Sequence, residues 1–191
     1  MNLTDFRWVN KAKIKTDGDA VIIEAHPQSD FFTDPATGES RANAAYLYRQ
    51  VEGDFIFRGK VSHAFASDYD ACALMMMADD DTYAKICYEL TDFGGRCAIS
   101  VVVADGRSDD ANGADLGGGA VWLQIARKKS AVMFYHSNDG ENWVIVRHFT
   151  FTDKPLKVGL VAQSPVGEGG SFRFENVMFE NRAPDELWMG K

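Results

Sequence analysis

Residues 131–151 read AVMFYHSNDGENWVIVRHFTF, and this stretch decides the fold class of the chain. Two apolar runs, Ala131–Ser137 and Trp143–Phe151, flank the polar cluster SNDGEN. Strands of this length and composition are typical of a β-sheet, and Asp-Gly supplies residues that tolerate the positive φ of a tight hairpin turn. We therefore predict a structural hairpin, with the ring of Trp143 packed over the turn.

The same rhythm continues in both directions along the chain. Short apolar or alternating runs are separated by GlyAsp, AspAsp, GlyGly and SerPro, which is the pattern of strands joined by turns. No segment shows an apolar helical stripe with caps at both ends. About a dozen strands in one domain, residues 1–191, predict a sandwich or a barrel. Besides the two runs above, they are Val21–Ala25, Ala44–Gln50, Asp54–Phe65, Cys72–Ala78, Tyr83–Leu90, Cys97–Ala104, Ala120–Arg127, Leu156–Ala162 and Ser171–Glu180.

Composition disfavours several classes of partner and of metal or disulfide site. The formal net charge is −8, from 28 acidic against 20 basic residues, so neither nucleic acid nor an anionic membrane surface is an expected partner. The 3 cysteines show no Cys-x-x-Cys spacing, which disfavours a disulfide framework and a thiolate zinc site. No apolar stretch suits a signal peptide or a membrane span. We expect a cytoplasmic protein without a cofactor or a metal ion.

One polar stretch interrupts the strand pattern. Residues 104–119 read ADGRSDDANGADLGGG, and Leu116 is their only large apolar residue. Long loops inside a compact domain are usually functional or disordered, so we predict either the mobile rim of a binding face or a plain flexible loop. A calcium site is a further alternative, although the aspartates lack the usual calcium-loop spacing. They are Asp105, Asp109, Asp110 and Asp115.

Several motifs, taken in order, resemble a known family. They are Asp70-x-Cys-Ala-Leu-Met-Met, Tyr83-Ala-Lys-Ile-Cys-Tyr-Glu89, Ser108-Asp109, VWLQIAR at 121–127, FYHSNDGENW, Arg147, VGLVAQSP and GEGGSFRF. From about Phe6 to Phe179 the chain resembles the regulation-of-enolase-like domains of the concanavalin A-like lectin/glucanase superfamily. The resemblance implies an antiparallel jelly-roll β-sandwich with two curved sheets of about six strands each. It also implies a concave face where relatives hold carbohydrate, but it brings no established activity.

Strand alternation selects the candidate ligand contacts. In Tyr83–Leu90, Lys85 and Glu89 share one face, about 13 Å apart at about 3.3 Å per residue, so each needs a partner from another strand. The resemblance places this strand in the concave sheet, where Asp70, at the start of the preceding strand, would be a neighbour. Charged side chains on such a face are also compatible with simple solvation.

A second strand offers an aromatic and amide pair. Trp122 and Gln124 share a face of Val121–Arg127, and a ring beside a planar amide is a suitable platform for a sugar. The alternative is that Trp122 covers an edge of the core and contacts no ligand, since tryptophan is usually largely buried. Ser108 and Asp109 would belong to the rim of the site.

Three hypotheses for function follow. The leading one is a non-catalytic domain that binds a carbohydrate or another small polar ligand through Asp70, Lys85, Glu89, Trp122 and Gln124. The second is a glycoside hydrolase or lyase that uses Glu89 with Asp70 or another carboxylate. The superfamily's Glu-x-Asp-x-x-Glu signature is missing, since the single Glu-x-Asp, at Glu52–Asp54, has no second glutamate. The third is a protein-interaction regulator of a metabolic enzyme, as the family name suggests.

Overall fold

The protein is an antiparallel β-sandwich with an attached hairpin. A computed structural model describes residues 3–191, which form sixteen strands and one short 3-10 helix. The strands are β1 (Arg7–Val9), β2 (Ile14–Asp17), β3 (Ala20–Ala25), β4 (Phe31–Thr33), β5 (Ser40–Ala42), β6 (Ala45–Val51), β7 (Phe55–Ser62), β8 (Ala71–Asp79), β9 (Thr82–Leu90), β10 (Arg96–Ala104), β11 (Arg107–Asp115), β12 (Val121–Lys128), β13 (Ala131–Ser137), β14 (Val144–Thr150), β15 (Leu156–Gln163) and β16 (Gly170–Glu180), and the helix covers Leu187–Met189.

Two large sheets form the sandwich. Sheet A has the order β1-β6-β15-β8-β9-β10-β11, and sheet B has the order β14-β13-β12-β7-β16-β3-β2. Each sheet therefore has seven strands where we expected about six, while the predicted jelly-roll sandwich is confirmed. No helix among residues 3–191 combines the length and the apolar character that crossing a membrane requires.

The core lies between the sheets, and strand alternation supplies it. In β8, Cys72, Leu74 and Met76 point into this core, while Ala71, Ala73, Met75 and Met77 point to the outer face of sheet A. Both sets are buried, so the outer face of sheet A is covered as well. This double burial explains why β8 reads as a continuous apolar run, as fully buried strands do.

The hairpin β4–β5 covers part of that outer face. Phe31 is fully buried and makes edge contacts with Tyr46 and Tyr83, with ring centroids 5.9 and 6.2 Å apart. The hydroxyl of Ser108 donates to the backbone oxygen of Thr33 and ties the hairpin to β11. The hairpin is thereby fixed over the centre of sheet A.

The quoted stretch of sequence is the β13–β14 hairpin, as predicted. The carboxylate of Asp139 accepts the backbone N–H groups of Glu141 and Asn142, each at 2.8 Å, and these bonds lower the pKa of Asp139. Gly140 has φ +80°, and a Cβ there would lie 2.7 Å from the ring of Trp122. The ring over the turn is therefore that of Trp122, and the prediction for Trp143 was wrong. Asp139 is a structural residue of the turn.

The stretch at 104–119 is largely a strand. Residues Arg107–Asp115 pair with β10 along most of their length, and a tight turn at Asp105-Gly106 joins the two strands. The prediction of a loop was wrong because β11 is an exposed edge strand and has no apolar face to signal it. Asp109 and Asp110 are adjacent in a strand and point to opposite faces. Within residues 3–191, no group of three or more His, Cys, Asp or Glu side chains is arranged to hold a metal ion.

Candidate ligand-binding site

A cavity opens on the outer face of sheet A beside the β4–β5 hairpin, and we call it the main cavity. Its volume is about 390 Å³, which lies within the range of small-molecule sites. Strands β9, β10 and β11 form its floor, and the segments around Asp30 and Pro165 form its walls. The lining residues are Asp30, Phe32, Tyr69, Lys85, Glu89, Thr91, Asp92, Ile99, Val101, Asp110, Asn112, Gln163 and Pro165.

Strand register brings the polar groups of the cavity together. Gln163 of β15, Ala71 of β8 and Glu89 of β9 lie in one row across the sheet. Lys85 and Asp110 lie in a second row, with Val101 of β10 between them. Facing side chains in such rows are close neighbours.

Lys85 is a fully enclosed cation at the base of this cavity. Its Nζ donates to Oδ1 of Asp30 at 3.0 Å and to Oε1 of Gln163 at 2.8 Å. Burial alone would lower the pKa of the ammonium, but the Asp30 carboxylate more than offsets this and holds the pKa above its ordinary value. Lys85 is therefore a permanent positive charge. An ammonium has three N–H donors, and these two bonds leave one for a ligand.

Glu89 is an acidic residue of the cavity whose pKa is shifted upward. Burial raises the pKa of its carboxyl to about 8; Lys85 opposes this rise, and the negative charges of Asp30, Asp110 and Asp92 add to it. At neutral pH the group is therefore mainly a neutral carboxylic acid. Among residues 3–191, the Glu89 side chain has no hydrogen-bond or ion-pair partner. Its hydroxyl and its carbonyl oxygen are both available to a molecule in the cavity.

Asp70 does not line the cavity, contrary to the sequence-based prediction. Its side chain is buried, with Oδ1 accepting from the Ser164 hydroxyl at 2.6 Å and Oδ2 from the backbone N–H of Ser67 at 3.0 Å. These bonds fix the turn before β8, in which Tyr69 has φ +67°. Asp70 thus holds a wall of the cavity in place, and Tyr69 is the neighbour that lines it.

The Ser108-Asp109 pair is also placed differently from the prediction. The Ser108 hydroxyl is taken up by the hairpin, as described above. Asp109 faces the opposite side of β11, where its carboxylate pairs with Arg147 at 2.8 Å. The next residue, Asp110, is the one that lines the cavity. Correct assignment of β11 as a strand would have placed Asp109 and Asp110 on opposite faces, so that only one of the two could line the cavity.

Trp122 and Gln124 share a face, as predicted, but the face belongs to sheet B. Gln124 is fully buried, and its Nε2 donates to the backbone oxygen of Gly190 at 2.8 Å. Trp122 packs over the turn at Gly140. The C-terminal segment covers this surface, so neither side chain meets the main cavity. The prediction that they join Lys85 and Glu89 was wrong because alternation gives the face of a strand and not the sheet to which the strand belongs.

Comparison with known proteins places the chain in a family. A model of a protein family of unknown function (DUF1349) matches residues 8–182. The chain belongs to this family. A functionally unknown protein from Saccharomyces cerevisiae is similar, with a TM-score of 0.87 and 25% identity over 97% of this chain and 100% of the other. No curated protein matches the chain.

Members of other families share the fold of this DUF1349 chain. The carbohydrate-binding module CBM66 from Bacillus subtilis has a TM-score of 0.63 and 11% identity, over 94% of this chain and 97% of the module. The GH43 protein BlXynB from Bacillus licheniformis has a TM-score of 0.69 and 12% identity, over 95% of this chain. The match covers 40% of that longer protein. At these identities the likeness is one of fold.

The sequence patterns of this DUF1349 chain did not reveal three important cavity residues. Asp30, Phe32 and Gln163 come from a short hairpin and from the end of β15, far from Lys85 in sequence. One signal pointed towards them, because a lysine on a buried strand requires a carboxylate partner. The sequence does not say which of the 28 acidic residues supplies it.

Proposed function

We propose that the protein is a non-catalytic domain that binds a carbohydrate in the main cavity. The observation that carries this proposal is the Glu89 carboxyl, which faces the cavity without a partner among residues 3–191. The side chain is partly exposed and its oxygens are accessible from the cavity, so a ligand hydroxyl can reach them directly. A hydroxyl both donates and accepts, which matches the donor and the acceptor of a neutral carboxylic acid.

The remaining lining suits a polyhydroxyl ligand. Asp92, Asp110 and Asn112 offer acceptors and an amide, and Lys85 offers its third N–H. Phe32 and Val101 supply apolar surface for the C–H faces of a sugar ring. Of the residues selected from the sequence, Lys85 and Glu89 keep their proposed role as ligand contacts.

Two similarities support a binding role over an enzymatic one. The Bacillus subtilis protein of the same fold is named as a carbohydrate-binding module, and it is matched over 97% of its length. In the GH43 protein, by contrast, the matched part is 40% of the chain. A domain of this size and fold therefore has a named precedent as a binding module.

Thermal unfolding with a panel of mono- and oligosaccharides tests the proposal. A sugar at about 100 times its dissociation constant adds about 2.7 kcal/mol, which raises the melting temperature of a chain of this size by about 5–10 °C. Glu89→Leu should lose most of this shift because leucine removes both the donor and the acceptor of the acid. Glu141→Leu, at the exposed β13–β14 turn, is the matched control and should keep it. If no sugar shifts the wild type, carbohydrate binding is refuted.

A second candidate function is glycoside cleavage with Glu89 as the general acid. It is favoured by the raised pKa, about 8, which keeps the Glu89 acid protonated and able to donate at neutral pH. Asp70 is unsuited as the second carboxylate because its oxygens are occupied, whereas Asp110 or Asp92 lines the same cavity. Release of new reducing ends from any sugar that binds, abolished by Glu89→Gln and by Asp110→Asn, would establish catalysis. Binding without such release would reject it.

The finer family assignment and the location are further proposals. We propose that residues 1–191 act as one regulation-of-enolase-like domain of the concanavalin A-like lectin/glucanase superfamily, in the cytoplasm. The motif resemblance supports the family assignment, and the cytoplasmic location is supported by Cys72, Cys87 and Cys97, which are free buried thiols.

A metabolic enzyme would then be a protein partner. A pull-down against purified candidate enzymes tests this directly, and absence of any complex at micromolar concentrations would reject it.

A further inference from the structure

A second depression adjoins the main cavity, and we call it the side cavity. Its volume is about 420 Å³, and Asp30 and Phe32 line both cavities. The other lining residues come from the hairpin and its loop: Asp34, Glu39, Ser40 and Arg41. The two spaces therefore meet at one aromatic ring and one carboxylate, and a ligand longer than one sugar unit has room on both sides of that ring.

Phe32 is exposed to the cavities because of its place in β4. Its neighbours Phe31 and Thr33 are buried, and strand alternation turns the Phe32 side chain the other way, where it stays partly accessible. Arg41 is its cross-strand partner in β5, so the two side chains lie on the same face of the hairpin, and both line the side cavity. A ring for C–H stacking beside a planar donor for hydroxyls is the combination that sugar sites use.

The hairpin that carries these residues is held rigidly. Asn43 accepts the backbone N–H of Asp30 at 2.9 Å and donates to the Gln28 oxygen at 3.1 Å, which closes the base of the hairpin. The carboxylate of Asp34 accepts two backbone N–H groups of its own loop, at 2.7 and 2.9 Å. Arg41 donates one N–H to the Pro165 oxygen at 3.2 Å, and its other N–H groups have no partner within the described residues, 3–191. A surface ordered before binding loses little entropy when a ligand arrives.

We propose that the main and side cavities are adjoining subsites for one oligosaccharide of at least two units, with the Phe32 ring between them. The inference rests on the proposed function and names its ligand class. One unit would sit against Glu89 and Lys85 in the main cavity. The next would lie past Phe32, where Arg41, Ser40 and Glu39 face its hydroxyls.

Titration calorimetry with matched sugar ladders tests this inference. The probes are glucose, cellobiose and cellotriose, and xylose, xylobiose and xylotriose. For the ladder that binds, the disaccharide should bind at least about tenfold more tightly than the monosaccharide, equivalent to about 1.4 kcal/mol. Phe32→Leu, which keeps apolar volume but removes the ring face, and Arg41→Ala should each remove most of this gain. Arg41→Ala should leave monosaccharide affinity within about twofold because Arg41 lines the side cavity and not the main cavity, whereas Phe32→Leu should also weaken the monosaccharide because the ring lines both.

Two controls separate the subsite inference from the proposed function. Glu89→Leu should weaken every member of the ladder, whereas Phe93→Leu, an exposed phenylalanine that lines neither cavity, should change none. Equal affinity for mono- and disaccharide, or a gain that survives Phe32→Leu, overturns the two-subsite inference and leaves the proposed function standing. Absence of binding by every member of both ladders overturns both. Melting temperatures of all variants show that the hairpin and the sandwich remain folded.

Discussion

Replacing Glu89 with glutamine should change the pH dependence of stability in a defined direction. In the folded chain the pKa of Glu89 rises from its ordinary value of 4.5 to about 8. Between these pH values the folded protein holds a proton that the unfolded chain releases, so the free energy of unfolding falls as pH rises. The favourable contribution is complete below pH 4.5 and is lost as the pH passes through 8. Glutamine cannot ionise, so the variant lacks this pH-dependent contribution to the free energy of unfolding.

The magnitude follows from the environment of Glu89. One proton of difference changes the free energy of unfolding by about 1.4 kcal/mol per pH unit, or near 5 kcal/mol over the whole interval if nothing screens the carboxyl. The carboxyl borders an open cavity, whose water lowers this figure. The groups that face it are Lys85 from its own strand, Asp30 from the hairpin segment, Asp110 from β11 and Asp92 after β9. We expect about 2 kcal/mol between pH 5 and pH 9.

Urea unfolding of wild type and Glu89→Gln at each pH from 5 to 9 measures this effect. The difference between the two proteins cancels the titration of groups that both share. At pH 5 the two stabilities should agree within about 0.5 kcal/mol, and at pH 9 the variant should be more stable by about 2 kcal/mol. Parallel curves, or a variant that loses stability as the pH rises, would refute the assignment of Glu89 as a neutral acid. Glu141→Gln should follow the wild type throughout.

Three further predictions follow from other parts of the sandwich. Lys85→Met leaves the Asp30 carboxylate without its cation and should lower the free energy of unfolding in urea by about 3–5 kcal/mol. Lys85→Met combined with Asp30→Asn should recover most of this loss, and equal losses in the single and the double variant would refute the coupling. Gly159→Ala puts a Cβ 2.0 Å from the Leu47 oxygen, and this should cost about 3 kcal/mol, with an unchanged melting temperature contradicting the close approach. In the native protein the 3 buried thiols should not react with a thiol reagent at pH 8, because burial blocks access and raises the pKa of the cysteines. All of them should react in denaturant, and rapid labelling of the native protein would contradict this prediction.

The fold could be predicted from the sequence because most long strands have a clear hydrophobic pattern and are bounded by turn residues. Alternation and turn residues located nearly every long strand, including the β13–β14 hairpin. The short strands β1, β2, β4 and β5 were missed, since three or four residues are too few to show a period. The edge strand β11 was missed for a different reason, because a strand without an apolar face has no hydrophobic pattern at all.

The site was readable only within a single strand. The pairing of Lys85 with Glu89 on one face followed from period two and was correct. The other members depend on which strands become neighbours, which is a property of the whole sheet. Trp122 shows what strand alternation cannot predict. Like Glu89, it shares a strand face with another polar candidate residue, but its strand belongs to the opposite sheet. Asp70 shows another, since a carboxylate that organises a turn and one that meets a ligand look alike in sequence.

The polar composition of β11 also disfavours edge-to-edge association between two copies of the folded protein. This strand ends sheet A, and its outer backbone groups are free to pair with any extended chain that approaches. Most of its side chains are exposed, and it carries three aspartates in nine residues: Asp109, Asp110 and Asp115. A second copy approaching the same edge would bring like charges face to face, so sheet growth from one molecule into the next is discouraged. The feature that conceals this strand from pattern reading is thus a safeguard against aggregation.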